Sequence, residues 1–302
     1  MAGPCLRPAA QRQVVGRQGR LAGAAAKGES MNADSEKDYT IGHKESALAY
    51  MRFRSAERCC GFFRRHVNAA SRILDCGCGP GPITLGLAQW APQGQTVGVD
   101  RGVEQLEGAR ALARELGVNN VTFRQGDIFG LPFEDESFDI VFSQAVFCHI
   151  PDHEKALAEI KRVLRPGGLV AIRDIINGAV LSWPDEPLIR EVARLFRLGE
   201  ERSGGNPDVG RELGALLHRA GFRDVFLTFN FEQPEQPEER AEYYALVAGI
   251  LESSDLGALA VKEGWITEEC LAQVVTRFRG LAHREGAISA LPFGQATGRK
   301  PT

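Results

Sequence analysis

Asp75 stands two residues before Gly77, and Gly77, Gly79 and Gly81 occupy alternate positions in "ILDCGCGPGPIT", Ile73 to Thr84. Glycines at this spacing remove Cβ atoms where backbone must turn sharply and approach a ligand closely. Pro82 suits the first turn of a following helix, where its missing N–H costs little. The loop therefore reads as a cradle. A dinucleotide loop requires G-x-G-x-x-G, with a helix N-terminus facing the pyrophosphate. Its third glycine would fall on Pro82, so that fit fails by one position. Metal chemistry is not expected: Cys5, Cys59, Cys60, Cys76, Cys78, Cys148 and Cys270 offer no C-x2-C spacing. Their odd number, without a disulfide spacing, fits a reducing, cytoplasmic setting.

The elements that must position this loop are legible around it. "RILDC", "QTVGVD", "NVTFRQ", "FDIVFS" and "GLVAIRD" are rich in Val, Ile and Phe and bounded by turn residues, which predicts strands. Between them, "VEQLEGARALARELG" and "DHEKALAEIKRVLRPGG" carry helical spacing and stop at Gly117 and Gly167; "RELGALLHRAGF" stops at Gly221. Asp152 is the expected N-cap of the second. Strands alternating with helices imply a doubly wound α/β domain, a parallel sheet covered on both faces. Ligands of such sheets bind beyond the carboxyl ends of the strands, where the glycines stand.

The chain has 302 residues, 43% of them hydrophobic, enough for a sizeable core. A net charge of −3 gives no basic footprint for nucleic acid. No apolar run approaches the roughly 18 to 20 residues that span a bilayer. Residues 1–30 hold five Lys or Arg against Glu29 alone, with almost no apolar periodicity. A disordered leader is expected there, with Met31 as the more ordinary start.

Downstream, Asp100 ends the second strand, and "GDIFGLPFEDESFDIVFS", "SQAVFCHIPD" and "KRVLRPGGLVAIRD" follow in order, covering with the glycine loop about half the chain. This succession resembles the class I S-adenosylmethionine-dependent methyltransferases, and within them the ubiquinone/menaquinone C-methyltransferase-like (methyltransferase type 11) group. The resemblance implies a Rossmann-like, seven-stranded sheet with an antiparallel last strand and helical lid insertions. It also implies S-adenosyl-L-methionine as cofactor. On that pattern Asp75, Gly77, Cys78, Gly79 and Gly81 take the amino-acid half and Asp100 the ribose. Gly126 and Asp127 meet the adenine amine with Ile128 beside the ring, and Arg101 covers adenine or ribose. Ser143 and Gln144 lie beside the sulfonium. In this group the segment before the glycine loop, here "YTIGHKESALAYMRFRSAERCC", folds over the cofactor, with Tyr39 and Arg54 placed to close it.

Methyl transfer depends mostly on alignment of nucleophile, methyl and sulfur. A hydroxyl acceptor also benefits from a general base, for which His149 is the best-placed candidate and His43 a weaker second. The expected division is a leader at 1–30, a helical cap at 31–70, a cofactor-binding core at 71–175, and lid helices with closing strands at 176–302. Insertions after Asp174 and over about 233–285 lie on the acceptor side. Phe147, Trp183, Tyr243, Tyr244 and Trp265 supply aromatic surface there, which suggests an apolar pocket for a small organic acceptor methylated at O or C. Two other classes stay open: a macromolecular methyltransferase using Arg52, Arg54, Arg58, Arg64 and Arg65, or a non-catalytic S-adenosylmethionine-binding module. No Asn/Asp-Pro-Pro-Tyr/Phe motif follows the fourth strand, which argues against DNA amines as acceptors.

Overall fold

Short runs of β-branched and aromatic residues form the parallel strands they predict. The computed structural model describes residues 45–302; the leader at 1–30, Tyr39 and His43 lie outside the described residues. β1 (Arg72–Cys76), β2 (Gln95–Asp100), β3 (Val121–Gln125), β4 (Phe138–Gln144) and β5 (Leu164–Ile175) lie in the order β3-β2-β1-β4-β5. Leu74 pairs with Val97 on one side and Val141 on the other. β1 and β4 are buried along nearly their whole length, as a doubly covered parallel sheet requires. β6 (Leu181–Trp183), β7 (Arg223–Glu232) and β8 (Ile288–Arg299) complete the sheet, and β8 runs antiparallel to β5, β6 and β7. The sheet therefore has eight strands, one more than expected. β6, of three residues, is too short for alternation to register.

Ten α-helices of the described residues surround it. α1 (Glu45–Arg52) and α2 (Ala56–Cys60) precede the sheet, and α3 (Pro82–Trp90), α4 (Val103–Glu115) and α5 (His153–Val163) connect its parallel strands. α6 (Pro187–Arg202) and α7 (Leu213–Arg219) follow β6, and α8 (Arg240–Ser253), α9 (Asp255–Lys262) and α10 (Glu268–Arg279) lie between β7 and β8. The Asp152 carboxylate caps α5, accepting from the Lys155 N–H at 3.0 Å. α5 stops at Val163 rather than Gly167, because Gly167 and Gly168 instead exchange backbone bonds with Lys300 as an extension of β5 against β8.

Two cores matter for the site. One lies under the sheet, built on Leu74, Val141, Leu157, Val170 and Phe293. The other joins α1, α6, α8, α9 and α10 through Tyr50, Val192, Tyr244, Leu251, Leu256 and Phe278. No single helix among the described residues is long and apolar enough to cross a membrane.

Candidate active site

A cleft of about 800 Å³ opens beyond the carboxyl ends of β1, β2 and β4. Asp75, Gly77, Cys78, Gly79, Asp100, Arg101, Gly126, Asp127, Ile128 and Gln144 line it, together with Arg54 and His149.

The three loop glycines serve three different ends. Gly77 has φ +78°, and a Cβ there would stand 2.2 Å from the Val146 side chain. Its N–H and that of Cys78 donate to the Val99 carbonyl, tying the loop across β2. Gly79 has φ +51°, yet its missing Cβ meets no atom closer than Met51 Sδ at 3.7 Å, so its bare face is turned to the cleft. Gly81, with φ +85°, faces away: a Cβ would press on Ala109 at 2.9 Å and the Phe123 ring at 3.0 Å. Gly81 does not line the cleft, which corrects the expectation that it touches cofactor; it lets α3 start close against α4 and β3.

Asp75 is buried beneath the loop, where Thr84 Oγ1 donates to its Oδ2 at 2.6 Å. Burial pushes its carboxyl up to about 7, against that hydrogen bond and with the help of nearby Asp100. Asp100 Oδ2 accepts from the Gly79 N–H and Oδ1 from the Gly102 N–H, each at 2.9 Å. Every carboxylate oxygen offers about two lone-pair sites, so one on each oxygen remains for a pair of hydroxyls. The cleft thus fits a ribose-bearing cofactor: a twice-anchored carboxylate, glycine-bare backbone beside it, and room for a nucleoside. At the far end Asp127 Oδ1 accepts from the Phe129 N–H at 2.9 Å, and Oδ2 lies 4.0 Å from Arg101 Nη1.

Where cap and sheet meet there is a buried polar knot. Arg54 Nε donates to Glu232 Oε2 at 3.0 Å, Arg173 Nη1 lies 3.5 Å from the same oxygen, and the Tyr50 hydroxyl donates to Oε1. Gln144, its amide oxygen turned to the guanidinium groups, accepts from Arg54 and Arg173 at 3.2 Å each. Arg173 is 1% exposed and stacks on Phe293, 3.5 Å from guanidinium carbon to ring centre. Burial alone raises the Glu232 carboxyl, but Arg54 and Arg173 outweigh it and hold the group below its usual range. Ser143, expected beside the sulfonium, is instead buried with its hydroxyl donating to the Cys76 carbonyl at 3.0 Å, joining β4 to β1.

The loop after β4 carries His149. Asp174 Oδ2 accepts from the N–H groups of Val146 and Phe147 at 3.1 and 2.8 Å, fixing the turn, and Ala145 is held at φ +51°. Backbone strain in a non-glycine residue persists where the surroundings over-determine it. Burial, with Arg54 and Arg101 nearby, pushes His149 down to about 4. Arg54, Ala145 and His149 also wall a second, inner pocket of about 90 Å³ beneath α6, α8 and α10. Its sides are Ile189, Val192, Phe196, Tyr243, Val247 and Phe278, with Asn177 and Glu200 among them.

Of the aromatic residues expected around an acceptor, Tyr243 alone lines that pocket, and its hydroxyl donates to the Glu232 carbonyl at 3.1 Å. Phe147 packs in the sheet core, stacked on His153. Tyr244 lies in the lid core with its hydroxyl accepting from the Ser289 N–H. Trp183 is 63% exposed. Phe147 and Tyr244 are taken up by packing and Trp183 stands toward solvent, so none of the three lines the inner pocket. Sequence reasoning missed Tyr50, Met51, Arg173, Asn177, Glu200 and Glu232. The four-residue spacing of Tyr50 and Arg54 was the one available signal; Glu232 lies some 180 residues away.

A sheet of this order, with a glycine-lined cleft at the switch between β1 and β4, is a Rossmann-like fold with room for a nucleoside-bearing cofactor. A family model described as a methyltransferase domain matches residues 68–206. An uncharacterized methyltransferase of Schizosaccharomyces pombe is 37% identical over 171 residues, 53% of this chain and 60% of that protein. The demethylmenaquinone methyltransferase of Lactobacillus johnsonii is 31% identical over 187 residues, 55% of this chain and 74% of that protein. The YcgJ protein of Bacillus subtilis has the same fold: TM-score 0.55, 23% identity, 82% of this chain and 99% of that one. The chain belongs to the S-adenosylmethionine-dependent methyltransferases, and S-adenosylmethionine is its cofactor.

Proposed function

We propose that this protein transfers the methyl of S-adenosylmethionine to an oxygen or carbon of a small, apolar or aromatic organic acceptor. The observation that carries this reading is the apolar inner pocket, which shares Arg54, Ala145 and His149 with the cofactor cleft. The demethylmenaquinone relative, named for a quinone acceptor, is in keeping with it. The cofactor supplies a methyl on a sulfonium whose positive charge disappears as the methyl leaves. The protein's part is then alignment more than charge stabilisation. Asp100 holds the ribose hydroxyls, Asp127 and Ile128 the base, and the strained Ala145 turn fixes the wall between cofactor and acceptor. His149, neutral at pH 7, accepts the proton when the acceptor is a hydroxyl.

Of the five arginines that favoured a macromolecular acceptor, four are engaged within the chain, and among the described residues Arg65 meets only its neighbour His66. Arg52 pairs with Glu45 at 2.7 Å, Arg54 with Glu232, and Arg58 with Glu239; Arg64 lies over the Trp90 ring. Calorimetry of the whole chain with S-adenosylmethionine, S-adenosylhomocysteine and NAD tests the cofactor half, with micromolar binding of the first two expected. Mass-spectrometric detection of methyl gain across a panel of neutral phenols and quinols tests the rest. Binding of NAD with no response to S-adenosylmethionine overturns the proposal.

A further inference from the structure

The inner pocket has Arg54 and His149 where it meets the cofactor cleft, and a second polar place lies among its apolar side chains. Asn177, on the turn after β5, and Glu200, in the last turns of α6, both line it. Asn177 Nδ2 donates to Glu200 Oε2 at 2.7 Å, and Glu200 is 4% exposed. Among the described residues nothing else hydrogen-bonds that carboxyl, although the wall around it is Ile, Val and Phe. A buried carboxyl with one satisfied oxygen has donor and acceptor capacity left over, and leaving such capacity unused costs stability.

Resting on the acceptor reading above, we infer that Glu200 and Asn177 are the acceptor's polar anchor. The acceptor is then a neutral, largely apolar molecule bearing a carbonyl or hydroxyl oxygen, and that oxygen, seated in the inner pocket, bonds to the Glu200 carboxyl. Asn177 holds the carboxyl by its other oxygen and so acts as a positioning residue. Anionic acceptors are disfavoured, because a negative group at this end would face Asp174 beyond Glu200, and Arg54, the arginine on the pocket wall, is already paired with Glu232. Burial pushes Glu200 well above the usual carboxylate range against the Asn177 bond, and Asp174 and Asp208 push the same way. That favours the protonated carboxyl, the form able to donate a hydrogen bond to the acceptor's oxygen.

The test uses the full chain saturated with S-adenosylhomocysteine and three probes of similar shape: phenol, toluene and benzoate, followed by ligand-observed NMR. Phenol should bind about tenfold more tightly than toluene, the value of one good hydrogen bond, and benzoate should not bind. Glu200→Leu should erase the phenol advantage and leave S-adenosylhomocysteine affinity unchanged, whereas Glu200→Gln, which can still donate, should keep most of it. In the wild type, phenol and not toluene should shift the Asn177 side-chain amide resonances, a readout independent of whether any variant folds. Equal binding of phenol and toluene, no phenol binding, tight benzoate binding, or an Asn177 amide indifferent to phenol each overturns the anchor. Failure to bind S-adenosylhomocysteine overturns the methyltransferase reading instead.

Discussion

Gly79 and Gly81 look alike in the sequence, two positions apart in one motif, and the structure separates them by what lies where each Cβ would be. Gly79→Ala should cost only about 1–2 kcal/mol for a left-handed backbone, since the nearest atom stands 3.7 Å away. Its larger effect should be on S-adenosylhomocysteine affinity, because the methyl enters the cleft. Gly81→Ala adds overpacking against Ala109 and Phe123 and should cost about 2–4 kcal/mol, with affinity falling only as far as the fold does. Urea melts beside calorimetry of both variants check this; equal losses of affinity at equal stability would refute the division. Asp75 gives a pH dependence. Its folded value, about 7, lies above its unfolded 3.8, so its contribution to stability is complete below about pH 4 and is lost as pH rises through 7. Asp75→Asn keeps the Thr84 hydrogen bond without titrating, so its stability relative to wild type should rise between pH 4 and 7.5, by up to about 4 kcal/mol. A difference independent of pH would show that Asp75 ionises freely in the fold.

Among the elements, α1 is held to the sheet by charge as well as by packing. Tyr50 from α1 and Arg54 just beyond it converge with Arg173 of β5 on Glu232, the last residue of β7. Glu232→Gln leaves two buried guanidinium groups without their counter-charge and should destabilise by about 3–5 kcal/mol, with hydrogen exchange of the 45–52 amides accelerating most. Uniform acceleration across the sheet would mean that the knot does not serve α1 in particular. The parallel strands were legible because Val, Ile and Phe runs between glycine stops leave few other readings, and Asp152 announced its own helix. The lid was less so. α8 is apolar nearly all round, with Tyr243, Tyr244, Val247, Ala248 and Leu251 buried, and a helix packed on several sides has no polar stripe to reveal which side faces a pocket. The cofactor-side carboxylates Asp75, Asp100 and Asp127 were legible for a related reason: each ends or follows a strand whose position was already fixed. Glu200 and Glu232 carry no such local marker, since their importance comes from partners far away in sequence.

At the scale of the molecule, the cleft is bounded both by the sheet's loops and by Met51 and Arg54 of the cap, so a ligand there touches two separately packed bodies of side chains. S-adenosylhomocysteine at a hundred times its dissociation constant should stabilise the protein by about 2.7 kcal/mol. Amides of α1 should gain more protection than those of α9, which lies away from the cleft; the reverse order would place the ligand elsewhere. β8 has a consequence of another kind. It is paired with β5, β6 and β7, yet it comes later in the chain than all of them. On a ribosome, therefore, β5 and β7 are made with open edges and must wait for more than fifty further residues, the lid helices, before residues 288–299 arrive to close them. Unpaired edges invite association with other chains. Nascent chains halted before residue 288 should consequently depend on chaperones far more than the finished protein does.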